Sequence, residues 1–288
     1  MSISSSAMLV RLSISTWTAK KIDKKQTDDM TVRARADKKA GKVIKDLMVG
    51  SNYVSELTKY ANKSRNEYSV RTLPWDDMGD RLISTSLYLP FKTDFSEKNG
   101  KLSSEFYRRR DYICEHYDRL KQISANYLGD MAEEADYPDV NAVYAKYSWE
   151  LKTKLVPLTG HPYVDLPAQD LDDLREELEQ ESRDKVQNAM NTAWDRLHTT
   201  LTHMSSKLTE NEEDDNPKRF YDSFVSNPKE LCDFLGHLNV TNDPELDRAK
   251  VMLQRTMEGA DIEVIKDSPA IRENMKSKVD SILDQFNW

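Results

Sequence analysis

From Ala168 to Leu208 the apolar residues recur at Leu171, Leu174, Leu178, Val186, Met190, Trp194, Leu197, Leu201, Met204 and Leu208, with Ser182 filling the one gap. The mean step is 3.7 residues, a helical period and not the alternation of a strand. It exceeds the value of about 3.5 that a sustained left-handed coiled coil needs. The spacing therefore predicts one long, nearly straight helix that packs on its own chain. At about 1.5 Å per residue such a helix extends roughly 60 Å. Its start is marked by Asp165 and Pro167, with Asp170, Asp172 and Asp173 at the positive end of the dipole. Its end is marked by the run Thr209 to Asn216, which has no apolar residue and precedes Pro217.

Most of the remaining chain fits around that helix. Its 288 residues suffice for one large or two ordinary domains. Hydrophobic residues make up 38% and charged residues 32%, a polar balance that long, exposed helices produce. Eight scattered glycines are too few for a mostly β chain of many tight turns. The expected class is mainly α: an elongated helical body around one long central helix, a minor two-stranded β element and a C-terminal subdomain of small helices. The expected division is 1–208 for the body, 209–216 for an acidic linker and 217–288 for the subdomain.

Alternation at Met8, Val10, Leu12 and Ile14 predicts a half-buried strand, and so does the pattern from Trp149 to Leu155. Two such isolated strands are unstable alone, so residues 8–16 and 149–157 are expected to pair. Between them, helix is expected from about Thr27 to Leu47, with Val32, Ala36, Val43 and Leu47 on one face. A second helical piece runs on to about Asn66. Thr72–Asp80 reads as a loop, Arg81–Leu89 as a helix in preference to a strand, and Ser103 to about Ala135 as a helix. The last carries Phe106, Ile113, Leu120 and Tyr127 as a seam for the long helix. A short helix follows Tyr137-Pro138. Four capping residues before proline, Asn216-Pro217, Asn227-Pro228, Asp243-Pro244 and Ser268-Pro269, predict four C-terminal helix starts. The terminal Phe286 and Trp288 read as a buried last turn rather than a tail for a partner to grip.

The net charge of −8 conceals a division. Residues 1–110 hold 22 Lys/Arg against 13 Asp/Glu, and residues 111–288 hold 20 against 37. The basic half points to an anionic partner, or else to the acidic half of the chain itself, with Asp172, Asp173, Glu176, Glu177, Glu179 and Glu181 as the rival partner face. Lys20, Lys21, Lys24, Lys25, Arg33, Arg35, Lys38, Lys39, Lys42 and Lys45 are the candidate phosphate contacts, with the nearby aromatics Trp17, Tyr53 and Tyr60 to stack on unpaired bases. Arg108, Arg109 and Arg110 sit at a helix start, where the dipole disfavours cations, which calls for an acidic neighbour or a phosphate.

Other chemistry has less support. There is no G-x-G-x-x-G, no G-x-x-x-x-G-K-[ST], no C-x-x-C and no H-E-x-x-H, and no cofactor is expected. The five histidines are dispersed; His198 and His203 lie about 140° apart on a helix, poor for one metal. Asp76, Asp77 and Asp80 form D-D-x-x-D, which could hold Mg²⁺ or could merely close a turn. The lone Cys114 and Cys232 suit reduced thiols in an intracellular protein. No signal peptide and no membrane-spanning run is read, so no membrane partner is expected.

The stretches Val10-Arg-Leu-Ser-Ile-Ser-Thr-Trp17-Thr-Ala-Lys-Lys21 and Arg71-Thr-Leu-Pro-Trp75-Asp-Asp-Met-Gly79-Asp-Arg81-Leu resemble stretches in a family of uncharacterised tailed-bacteriophage proteins. The resemblance covers about the first 210 residues in layout, on weak motifs, and brings no activity with it. It implies a phage protein in the bacterial host cytoplasm, engaged in DNA metabolism or host takeover. Three functions follow as expectations. The first is non-enzymatic binding of nucleic acid, single-stranded in preference, by an oligomer. The second is a helical adaptor or assembly protein for a phage or host protein. The third is a Mg²⁺-dependent enzyme of phosphate chemistry.

Overall fold

The structure, a computed structural model, describes residues 6–37, 39–156, 168–209, 220–286 and 288. The expected linker beyond Thr209, the start at Pro217, and the caps Asp165 and Pro167 lie outside the described residues. The protein is mainly α-helical. Among the described residues no helix is long and apolar enough to cross a membrane.

By contact the chain forms two compact units, neither of which divides at residue 208. One comprises Met1–Arg11, Ser69–Leu89 and Thr153–Trp288; the other comprises Leu12–Tyr68 and Pro90–Lys152. A four-stranded sheet has the order β4-β5-β1-β6, with β1 at Ala7–Ser15, β4 at Leu73–Pro74, β5 at Arg81–Ser84 and β6 at Ser148–Leu155. The expected neighbours β1 and β6 are therefore adjacent, but the β element is larger than two strands. Arg81–Ser84 is a strand and not a helix. It pairs antiparallel with β1 from Ala7↔Ser84 to Val10↔Arg81, which places Leu82 and Ile83 in the interior.

In the first unit the long helix spans Ala168–Leu208, as its period requires. It packs on the C-terminal helix Pro269–Gln285, on the helix Ser223–Leu238 and on β4. The helix expected over 103–135 to supply that partner lies in the other unit. Among its described side chains, burial is confined to the C-terminal half of the long helix: Ala189, Met190, Ala193, Leu197, Leu201, Met204 and Leu208 join one core with Leu235, Leu253, Val279 and Ile282. From Asp172 to Asn188 no residue is buried. There, Arg175–Asp172, Arg183–Glu179 and Lys185–Glu181 pair along the helix itself, so that acidic face is partly neutralised by its own turn-to-turn neighbours.

The C-terminal helices start at Asp243-Pro244 and Ser268-Pro269 as expected, with both caps accepting backbone N–H bonds. Asn227-Pro228 marks no start. Pro228 lies inside Ser223–Leu238. A further helix, Ile262–Asp267, is capped by Asp261 without a proline. The terminal Phe286 is buried, and Trp288 stacks on His198 at 4.9 Å between ring centroids.

The second unit contains a separate hairpin, β2 (Lys20–Asp23) with β3 (Val43–Asp46), joined through helix α1 (Lys24–Arg33). Helix α2 (Tyr53–Val70) follows, then α3 (Thr85–Phe95), α4 (Lys101–Glu115), α5 (Tyr117–Leu128) and α6 (Val140–Ala145), with α2 and α3 each running on from or into the first unit. The single helix expected over 103–135 is broken at His116, whose φ of −103° and ψ of 12° leave the helical region. The core is aromatic: Phe91 stacks on Phe95, and Trp149 packs on Phe95 and Phe106 with its Nε1 donating to the Phe95 carbonyl at 2.9 Å. Burying an indole requires such an acceptor.

Candidate nucleic-acid interface

The basic segment folds as a strand, a helix and a strand rather than one helix. Asp23 ends β2 and caps α1, accepting from the Gln26 N–H at 2.9 Å. Thr27 links α1 to β3, since its hydroxyl donates to the Asp23 carbonyl at 2.6 Å and accepts from the Val43 N–H at 2.9 Å. Helix α1 stops at Arg33, and Arg35 takes the left-handed φ of 49°. The chain can then turn back so that Lys20 faces Asp46, Lys21 faces Lys45, Ile22 faces Ile44 and Asp23 faces Val43.

Strand alternation divides the cations of this module. Lys45 points inward and is only 4% exposed. It forms ion pairs with Asp136 and, at 3.4 Å, with Asp23, and its Nζ donates to the Met131 carbonyl at 3.0 Å. Burial alone would depress the Lys45 pKa, but the Asp136 and Asp23 carboxylates outweigh it and hold it above the ordinary lysine value. Lys21 also reaches Asp136, at 2.7 Å. Two of the ten candidate phosphate contacts thus fasten the module to the unit instead. Trp17 is likewise no open stacking surface: it is 6% exposed and packs on Tyr117 with ring centroids 6.1 Å apart. Lys38 lies outside the described residues.

The other cations remain available. Lys20, Lys24, Lys25, Arg33, Arg35, Lys39 and Lys42 are exposed, and none of these seven has an ion-pair partner among the described residues. Over 20–46 there are ten Lys/Arg against five Asp. Between these cations lie exposed apolar side chains, with Ile22 and Ile44 opposite each other on the hairpin and Met30 and Val32 on α1.

The D-D-x-x-D motif does not gather as a metal site. It closes the hairpin between β4 and β5, where the Asp80 N–H donates to Asp76 Oδ1 at 2.9 Å and the Trp75 N–H donates to the Asp80 carbonyl at 3.1 Å. The Asp80 carboxylate is buried and occupied by Arg11 at 2.6 Å and Lys154 at 2.8 Å, while Asp77 is exposed. Among the described residues no group of three or more His, Cys, Asp or Glu side chains could hold a metal ion. Both cysteines are free; burial pushes the Cys232 thiol up to about 11.

The arginine triplet has acidic neighbours. Arg108 and Arg109 pair with Glu105, and Arg110 pairs with Asp111 while lying over the Tyr107 and Tyr144 rings at 4.4 and 3.9 Å. Of the aromatics named from sequence, Tyr60 is tied by its hydroxyl to the Leu102 carbonyl at 3.2 Å. Tyr53 is exposed and meets Tyr112, which in turn stacks on His116. Sequence reasoning missed Tyr112 and His116, because the contact of Tyr112 with Tyr53 depends on how α2 lies beside α4.

Comparison of the chain with protein families, curated proteins and solved structures gives no match.

Proposed function

We propose that this protein is a non-enzymatic binder of nucleic acid, whose β2–α1–β3 module contacts the phosphate backbone. The observation that carries the reading is the set of seven exposed cations without ion-pair partners among the described residues, on a module anchored by the buried Lys45. Each phosphate contact releases counterions, so affinity should fall with salt in proportion to the number of contacts. The likeness to tailed-phage proteins is consistent with work on DNA during infection, as an oligomer in the host cytoplasm.

The test is fluorescence anisotropy with labelled DNA and RNA over a salt series. Wild-type binding should weaken steeply with salt, and the triple variant Lys24→Glu, Lys25→Glu, Arg33→Glu should lose affinity and flatten the slope by about three. Absence of binding to DNA and RNA at about 50 mM salt would remove the proposal.

A second reading, an adaptor for a phage or host protein, is favoured by one observation. Ile22, Ile44, Val32 and Met30 are 45%, 57%, 73% and 39% exposed on the same module, and exposed aliphatic groups beside charges are a feature of protein interfaces. A complex retained on pull-down after nuclease treatment, and lost on Ile44→Asp, would favour it.

A further inference from the structure

The second unit carries a ladder of three rings, two exposed tyrosines and a half-buried histidine. Tyr53 stands at the start of α2, Tyr112 in the last turn of α4 and His116 at the junction of α4 with α5. The Tyr53 and Tyr112 centroids are 4.7 Å apart at an interplanar angle of 43°, and their hydroxyls hydrogen bond at 3.1 Å. The Tyr112 and His116 centroids are 4.2 Å apart and nearly parallel, at 19°. His116 Nδ1 lies 2.9 Å from the Tyr112 carbonyl, which fixes the imidazole against the phenol. The rings are therefore held by one another, yet Tyr53 remains 41% and Tyr112 39% exposed. Two tyrosines fixed by each other and partly open to water offer aromatic surface at small entropic cost.

Arg119 is near enough to Tyr112 to act on its hydroxyl. The ladder also belongs to the same compact unit as the basic module, and Tyr53 follows the end of β3 at Asp46 by seven positions. At about 3.5 Å per residue, that places the two within about 25 Å along the chain. A polyanion held by the module would have the rings within that distance.

We infer that Tyr53, Tyr112 and His116 form a stacking platform for unpaired bases, so that the ligand is single-stranded nucleic acid. This rests on the nucleic-acid reading above and adds the part that backbone contacts cannot supply. Cations read phosphates on a duplex and a single strand alike, whereas a π-face is accessible only on a base that has left its duplex. Base–aromatic stacking is tolerant of sequence, so the preference is for strandedness rather than for a motif.

The experiment compares the full chain and its variants for binding to oligo-dT of about 16 nucleotides and to a duplex of equal length. Wild type should prefer the single strand. Tyr112→Ala should lower affinity for oligo-dT relative to that for duplex by about five- to a hundredfold. Tyr53→Leu, on the other helix, should shift the ratio in the same direction and covers the case in which Tyr112→Ala fails to fold, which circular dichroism detects. An unchanged ratio in folded variants, while the Lys24/Lys25/Arg33 charge reversals still weaken both ligands, overturns the platform alone. No binding of either ligand by wild type overturns the platform and the nucleic-acid reading together.

Discussion

Lys45 and Asp136 form an ion pair in which both side chains are covered, at 3% and 7% exposure. Asp136 reaches Lys21 as well, and Lys45 reaches Asp23, so a chain of four charges secures the β2–β3 hairpin to the 131–136 segment. Removing the central cation leaves Asp23 under cover without its cation and Asp136 with Lys21 alone, the costly way to break such a pair. Lys45→Ala should destabilise the second unit by at least about 2 kcal/mol in urea denaturation. Lys42→Ala, on an exposed neighbour, should stay within about 0.5 kcal/mol of wild type. Equal effects would show that the chain of charges does not hold the module.

The acid limb of stability should come from Asp136 and Asp80. Burial opposes the charge of each carboxylate, but hydrogen bonds from Lys21 and Lys45 to Asp136, and from Arg11 and Lys154 to Asp80, outweigh it and hold both below the ordinary Asp value. A depressed folded pKa adds stability that is complete above the unfolded value of about 3.9 and disappears as pH falls through the folded value. Thermal midpoints should therefore drop below about pH 4. Asp80→Asn should lower the midpoint at neutral pH and make that drop shallower; an identical acid slope in the variant would contradict the assignment. Lys45, whose pKa is raised, acts at the other end, with its contribution complete below about 10.4 and lost as pH rises through its folded value.

The 41-residue helix was legible in the sequence because its period is local and long, and its structural bounds, Ala168–Leu208, coincide with those of the pattern. The period identifies which face could be buried but not whether anything covers it. Leu178 continues the stripe and is nevertheless 39% exposed. Val43 to Asp46 was illegible for the opposite reason. Val32, Ala36, Val43 and Leu47 have helical spacing, yet the Arg35 backbone reverses the chain and Thr27 binds the Val43 N–H. A four-residue strand has no period long enough to argue back. At the candidate site, charge type was readable and charge availability was not. Nothing near Lys45 in sequence shows that Asp136 will neutralise it, and nothing near Tyr53 shows that Tyr112 will lie beside it.

Arg196 tests a capping contact within the first unit. Its guanidinium donates to the carbonyls of Val70 at 2.9 Å, Ser69 at 2.8 Å and Thr72 at 2.9 Å, around the C-terminal end of α2. The Ser69 and Val70 carbonyls end α2 and have no partner in their own helix, and Arg81 also donates to the carbonyls of Ser69, at 3.2 Å, and Thr72, at 3.0 Å. Burial, with Arg81 beside it, brings the Arg196 pKa down to about 10, still charged at neutral pH. Arg196→Met should cost about 1–3 kcal/mol by leaving the Val70 carbonyl unpaired and those of Ser69 and Thr72 with Arg81 alone. Arg196→Lys should recover only part, because an ammonium is a point donor and cannot reproduce the planar fork. Full recovery by lysine would mean that charge, not geometry, makes the cap.

Gly50 and Gly79 separate backbone strain from packing. Both have left-handed backbones, with φ of 85° and 94°. A Cβ at Gly79 would meet nothing within 4 Å, whereas one at Gly50 would overlap the Tyr127 ring and lie 3.1 Å from Ile123 Cγ2. Gly79→Ala therefore carries the backbone penalty alone, about 1 kcal/mol. Gly50→Ala adds a collision between the β3–α2 connection and α5 and should cost more. Tyr127 is 70% exposed, so its ring has room to swing and the excess should be modest, roughly 0.5–1 kcal/mol for a side chain forced from its rotamer. Adding Tyr127→Ala to Gly50→Ala should remove that excess and bring the pair back to the Gly79→Ala cost, a coupling that a double-mutant cycle in urea measures directly. Additive costs would mean that the ring does not confine the backbone at Gly50 and that the left-handed φ alone demands glycine there.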